Sequence, residues 1–241
     1  LVDYPKLYEP FPAVKLRGGV SYFLWDRDNP GPCRVQTMWD GKPLGDAVER
    51  YLDAYDVLVR RNEAIPILEK VRAVDSGPTL ADRFSSRKPF GLLSNFRGKS
   101  SPTAMRQPVK VYGVETSWIE RSAIPQNAKW VDDWKVLVSK AQGTSAAVER
   151  MFLATPIIAE PGTACTETYL VAGRFSSKDE AERFAAYLRT RLVRFLISLR
   201  KVTQNAPKSV YAFVPDLPTD EEWTDEKLYE KMSKTANPYG D

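Results

Sequence analysis

The 241-residue chain contains no histidine. That absence excludes Ser-His-Asp and Cys-His catalysis and every metal motif that needs an imidazole. Cysteine is nearly as scarce: Cys33 and Cys165 lie far apart with no CxxC pair, so both read as free, buried thiols. No run approaches the ~18 apolar residues of a membrane span. The opening LVDYPKLYEP lacks both a basic n-region and an apolar stretch, so a cytoplasmic location without membrane contact is expected. A start on Leu1 rather than Met suggests a piece of something longer.

What is present is an ordinary core, with 43% hydrophobic and 27% charged residues, enough for one large domain or two small ones. Eighteen Pro against thirteen Gly imply many fixed turns and extended connections. The net charge of +4 is unevenly placed: residues 216–241 hold eight acidic and three basic side chains, leaving residues 1–215 at +9. A basic body fits a polyanionic partner, although a solvated basic surface is also common in proteins that bind nothing charged. The sharpest local absence is in residues 83–110, RFSSRKPFGLLSNFRGKSSPTAMRQPVK, which carry seven Lys or Arg and no carboxylate.

Along the chain, GGVSYFLWDRDNPGPCRVQTMW predicts a hairpin whose turn is Asp28-Asn29-Pro30-Gly31-Pro32. Its aromatics Tyr22, Phe23, Trp25 and Trp39 read as core or domain contact rather than as base-stacking rings. From residue 44 to 74 the pattern is helical with a break near 55–59, and Asn62 can cap NEAIPILEKV. PVKVYGV, SWIERS, WKVLVSK, ETYLVAGRF and VYAFVP read as strands. Ser177 and Glu180 form a capping box opening a helix over 177–204, in which Phe184, Leu188, Leu192, Phe195 and Leu199 recur at helical spacing. Its basic face reads first as a solvated face. Thr224 can cap a short acidic helix over 225–232.

Three constellations are weighed for chemistry. Asp216 with Glu226 and Lys227 mimics the spacing of a Mg²⁺-dependent nuclease, but the second pair falls in a short acidic helix instead of a buried strand. Asn237-Pro238-Tyr239 is similar to the loop that holds a flipped adenine in amino-methyltransferases, with one Pro too few. No glycine-rich strand-to-helix turn for S-adenosylmethionine is present, since Gly18-Gly19 precedes a strand. The third is the 83–110 segment. Arg and Lys contact phosphates, Arg is bidentate to guanine and Asn to adenine, while Ser and Gly let the backbone approach.

The blocks GGVSYFLWDRDNPGPC, SSRKPFGLLSNF, WKVLVSKAQG, CTETYLVAGRF, YLRTRLVRFLISLRKVTQN and VYAFVPDLP, followed by WTDEKLYEK, run in order over nearly the whole chain. Together they resemble the region after the catalytic domain in fused type II restriction–modification enzymes with an N6-adenine methyltransferase. That region is the target recognition domain, similar to the specificity parts of Taq-type adenine methyltransferases and type I subunits. The resemblance implies a partner in double-stranded DNA and another in the methyltransferase domain of the same polypeptide. It implies S-adenosylmethionine in that other domain and no cofactor here, and leaves open whether the parent enzyme also cuts. The DNA-facing residues it implies are Arg83, Ser86, Arg87, Lys88, Phe90, Asn95, Arg97, Lys99 and Arg106. Lys140, Gln142 and Gly143 form a second contact, and Arg200, Lys201 and Gln204 a third. The ending KMSKTANPYGD departs from the family pattern.

The expected fold is α/β (α+β): a twisted, mostly antiparallel sheet with the long C-terminal helix packed on it. Residues 1–75 form an aromatic hairpin and helical lead-in, and residues 76–241 the recognition domain. Two other classes stay open, the nuclease on Asp216, Glu226 and Lys227, and a protein–protein module docking through the aromatic hairpin.

Overall fold

The computed structural model describes residues 1–6, 9–14, 16, 18–141 and 153–233. The chain divides into two compact units, Leu1–Arg72 and Ala73–Asp241. Both mix helices with small sheets, three sheets in all among the described residues.

The first unit is a four-stranded sheet. It contains β1 (Val2–Tyr4), β2 (Val20–Tyr22), β3 (Cys33–Trp39) and β4 (Lys42–Arg50), in the order β2-β1-β3-β4. The hairpin expected between residues 20 and 39 does not form. β1 inserts between its two arms, antiparallel to β2 and parallel to β3. The true hairpin is β3–β4, closed by Asp40 (φ 52°) and Gly41 (φ 72°), the paired positive φ angles of a primed turn. Residues 44–50, expected to be helical, are therefore strand. The aromatic reading is corrected as well. Tyr22, Phe23, Leu24 and Trp25 are exposed, Leu24 at 91% and Trp25 at 74%, because the chain leaves the sheet after Tyr22.

Asn62 fills the irregularity where β4 bulges over residues 45–47, opposite Gln36 of β3. Its side-chain amide donates to the carbonyls of Val35 (3.0 Å) and Asp46 (3.2 Å), and its oxygen accepts from Arg50 Nε (3.2 Å). The expected side-chain cap is thus spent on the sheet, and Asn62 opens α1 (Ala64–Val74) through its backbone carbonyl. Cys33 is half-buried rather than buried, whereas Cys165 is fully buried, and both thiols are free.

In the second unit, α2 (Leu80–Arg83) leads into the basic segment. There follow β5 (Pro108–Tyr112), β6 (Ser117–Glu120), β7 (Trp134–Ser139), β8 (Ile157–Ala159), β9 (Thr163–Cys165) and β10 (Tyr169–Phe175). They form two three-stranded sheets, β10-β7-β8, wholly antiparallel, and β6-β5-β9, in which β5 and β9 run parallel. One sheet was expected. The chain changes sheets over residues 160–162, between β8 and β9, where Gly162 takes φ 83°. The core between them holds Phe90, Leu92, Val109, Val111, Ile119, Val131, Leu137, Ala164 and Val171.

Lys135 lies in that core with no exposure, an ammonium where a hydrophobe is usual. It donates to the carbonyls of Trp130, Val131 and Asp133 at 3.1, 3.3 and 2.6 Å, satisfying the end of the 3-10 turn Ala128–Asp132. Burial still lowers its pKa to about 8, since desolvation outweighs the nearby carboxylates.

The single long helix expected over 177–204 is two helices, α3 (Lys178–Arg189) and α4 (Arg191–Arg200). Thr190 is extended (ψ 155°) and serves both ends. Its hydroxyl donates to the Tyr187 carbonyl (2.8 Å) and accepts from the Val193 amide (3.4 Å). At the start of α3, Ser177 caps the Glu180 amide as expected, and the Glu180 carboxylate accepts from the amide and hydroxyl of Ser176 as well as being drawn to the cap amide of Ser177. VYAFVP is no strand. It opens in the 3-10 turn Lys208–Tyr211, and Tyr211 stacks on Phe84 at 3.8 Å. The last described helix, α5 (Asp225–Ser233), is capped by Thr224, whose hydroxyl accepts from Lys227 N (3.3 Å). No described helix is long and apolar enough to cross a membrane.

Candidate nucleic-acid interface

The basic segment is an anchored strap. Phe90 and Leu92 face inward and lie in the core, with Phe90 edge-on to Trp130, while Leu93 between the core and Ser94 is exposed. Burial of that ring corrects its expected exposure toward DNA, because a benzyl group amid apolar neighbours gains more from the core than from water. The strap's backbone is pinned at intervals. Ser85 exchanges bonds with Val171 through its amide (2.8 Å) and hydroxyl (2.9 Å). Lys99 and Trp118 exchange two backbone bonds of 2.9 Å. Gly98 permits that approach, since a Cβ there would sit 2.4 Å from the Trp118 carbonyl oxygen.

The turn at Lys88 stores strain. Lys88 adopts φ 59°, a left-handed conformation uncommon for a side chain of its length. Three neighbours hold it: the Gly91 amide (2.9 Å) and the Gln126 side-chain amide donate to its carbonyl, and Asn127 donates to the Pro89 carbonyl (2.7 Å). At the far end, the Glu120 carboxylate accepts the backbone amides of Arg106 (2.9 Å) and Gln107 (2.7 Å). The strap lacks carboxylates of its own and borrows them from elsewhere.

Glu167 is the most informative of these loans. Its side chain is only 7% exposed, with one oxygen accepting from Arg87 Nε (2.7 Å) and the other from the Ser94 amide (3.3 Å). The Arg87 hydrogen bond, aided by the Ser94 amide and by the charges of Arg87 and Lys140, pulls its pKa down to about 2 against the opposing effect of desolvation. Its own amide binds the Leu92 carbonyl (2.9 Å), so residue 167 and the strap are fastened twice. Nothing local in ACTETYL announces this, because its partners lie more than 70 residues away.

Of the seven basic side chains of the strap, three are paired. Arg83 lies 2.8 Å from Asp216 as an ion pair, though not aligned as a hydrogen bond, and sits over the rings of Phe175 and Phe184. That makes it a packing residue, against the DNA-facing expectation. Arg87 pairs with Glu167, and Lys110 with Glu160 (3.6 Å). Lys88, Arg97, Lys99 and Arg106 form no ion pair among the described residues, and Arg97, Lys99 and Arg106 are exposed together with Ser86 and Asn95. Four cations thus lie on one strap without an ion-pair partner among the described residues.

The second and third expected contacts are brought together. Lys140 donates its amide to Thr168 and accepts the Ala206 amide (2.8 Å), while Ala141 and Asn205 form an isolated bridge. The Lys140 turn therefore lies beside the chain leaving α4, and Lys140 also acts on Glu167. Gln142 and Gly143 lie outside the described residues, as does Asn237-Pro238-Tyr239. The α4 residues are less available: Arg200 stacks on Phe213 at 4.6 Å, Lys201 is half-buried with its pKa lowered by that burial, and Gln204 is half-buried.

Two residues of the nuclease constellation, Asp216 and Lys227, are engaged with other partners. Asp216 is engaged by Arg83, Lys227 reaches back to Glu221 (3.5 Å) and the Glu222 carbonyl (2.9 Å), and Glu226 is exposed. Among the described residues no group of three or more His, Cys, Asp or Glu could hold a metal ion. Gly18-Gly19 leads into β2 rather than into a helix. No protein-family model, curated protein or solved structure matches this chain.

Proposed function

We propose that the chain recognises duplex DNA as the target recognition region of a restriction–modification adenine methyltransferase and is non-catalytic by itself. The observation that carries the reading is the strap: a carboxylate-free segment whose Phe90 and Leu92 are buried and whose Lys88, Arg97, Lys99 and Arg106 form no ion pair among the described residues. Unneutralised cations on a fixed backbone suit a ladder of phosphates, because the ordering entropy has already been lost in folding. Ser86, Asn95 and Lys140 complete the surface. Arg83, Phe90 and Arg200 support it from within.

On this reading a separate domain of the same polypeptide binds S-adenosylmethionine and extrudes the adenine, while this chain grips the flanking duplex. Such a division is needed because a stacked adenine hides its amino group. The test is a fluorescence-anisotropy titration with a mixed-sequence duplex at several salt concentrations. Affinity should fall steeply as salt rises, and Arg97→Glu with Lys99→Glu should weaken binding at least tenfold and flatten the salt slope by about two. Binding that ignores both salt and the double reversal would sink the proposal. A second reading, a protein–protein module, draws on one observation, the exposed run Tyr22-Phe23-Leu24-Trp25.

A further inference from the structure

Arg87 combines two properties that no other basic side chain of the strap shares. It is 66% exposed, and one of its donors is committed to a carboxylate that is nearly buried. Arg83 and Lys110 are paired but mostly covered, while Arg97, Lys99 and Arg106 are exposed but unpaired. The commitment of Arg87 is made through Nε, at 2.7 Å from Glu167. A guanidinium has five N–H donors in a rigid fork, so this bond fixes the plane of the group and leaves the four N–H donors of the two terminal nitrogens. Those have no hydrogen-bond acceptor among the described residues.

The free end of such a fork matches the paired acceptors O6 and N7 that guanine presents in the major groove. A phosphate would accept the same fork. Two observations favour the base. First, a carboxylate held beside Arg87 repels a phosphate and cancels part of the cation's long-range attraction, so this arrangement is poor for gripping the backbone and good for aiming a fork. Second, the other oxygen of Glu167 holds the Ser94 amide, and the next residue is the exposed Asn95, the side-chain type that pairs with adenine. One carboxylate thereby sets the spacing of an Arg and an Asn.

We propose that Arg87 is a specificity-determining side chain that reads a guanine edge, and that Glu167 is the positioning residue that aims it. The inference rests on the DNA-binding reading above and names what that surface recognises. Glu167 need not touch DNA. Its bond removes the rotamer freedom that a long, exposed side chain would otherwise lose on binding.

The test selects duplexes from a randomised pool with the full chain, sequences those retained, and measures affinity for the unselected pool in parallel. The wild-type chain should enrich a motif with a fixed guanine. In Arg87→Lys, which keeps the charge and loses the fork, preference at that position should fall about tenfold or more, while pool affinity and salt slope stay within twofold. Glu167→Gln keeps an acceptor for Ser94 and should relax the same position with pool affinity equal or slightly higher, a result that loss of fold would not produce. Thermal melting checks that both variants fold. Lys178→Arg, at a cation of α3 paired with Glu182, should leave the motif intact. Retention of the guanine in Arg87→Lys or in Glu167→Gln overturns the inference, as does wild-type binding without any base preference. Either result leaves salt-dependent DNA binding standing. Absence of salt-dependent binding by the wild-type chain removes both.

Discussion

At the scale of single residues, the strap is governed by carboxylates that come from elsewhere in the chain. Glu167 holds Arg87 and Ser94 at once, and the pair keeps its carboxyl ionised far below the usual range. A carboxyl whose folded pKa is depressed contributes its stabilisation fully above its ordinary value of 4.5 and loses it as pH falls through about 2. The Ser94 amide resonance should therefore titrate with a midpoint near 2, and Glu167→Gln should abolish that titration. A midpoint near the ordinary carboxylate value would mean that the pair does not form. Phe90 gives a second check. Its ring lies in the core, so Phe90→Ala should cost about 3–5 kcal/mol in denaturant unfolding. Loss of DNA affinity with unchanged stability would instead return the ring to the surface.

At the scale of elements, local signals held where the elements answer to neighbouring residues and failed where distant partners intervened. The capping Ser177 and Thr224 were legible because each bonds within three residues. The break at Thr190 was not. The apolar stripe from Phe184 through Leu188 to Leu192 runs on without interruption, because α3 and α4 bury the same side of the chain on either side of the bend. A single hydroxyl closes one helix and opens the next, so Thr190→Ala should destabilise by about 1 kcal/mol and Thr190→Ser by much less, measured as the shift in denaturant midpoint. The β3–β4 hairpin had its own signal in Asp40-Gly41, outweighed in the reading by the more conspicuous Asn29-Pro30-Gly31. Nothing in VDY announced β1, since three residues carry no periodicity and their partners in β2 and β3 lie 16 to 34 residues away.

At the scale of the whole molecule, the charge pattern and the absence of histidine were plain in composition, and both bear directly on function. Composition excluded imidazole chemistry, and among the described residues the structure adds no acidic cluster for a metal. The basic segment was visible as a run without carboxylates, and its role as a DNA surface is the molecular-scale prediction: binding that weakens with salt and with reversal of Arg97 and Lys99. Which of its seven cations are available was not visible. Nothing in one dimension separates Arg83 from Arg97, yet Arg83 lies beside Asp216 and over two rings, while Arg97 forms no ion pair among the described residues.

The sequence by itself determined the quantities that depend on nearest neighbours and totals: which residue types exist, where charge accumulates, which turns and caps have a suitable side chain. Only the tertiary structure decided which charges cancel, which aromatics are wet, and that Arg87 and Ser94 share one carboxylate of Glu167. The physical reason is that ion pairing and burial depend on distances of a few ångströms between residues separated by 70 to 130 positions, and chain order alone does not contain those distances.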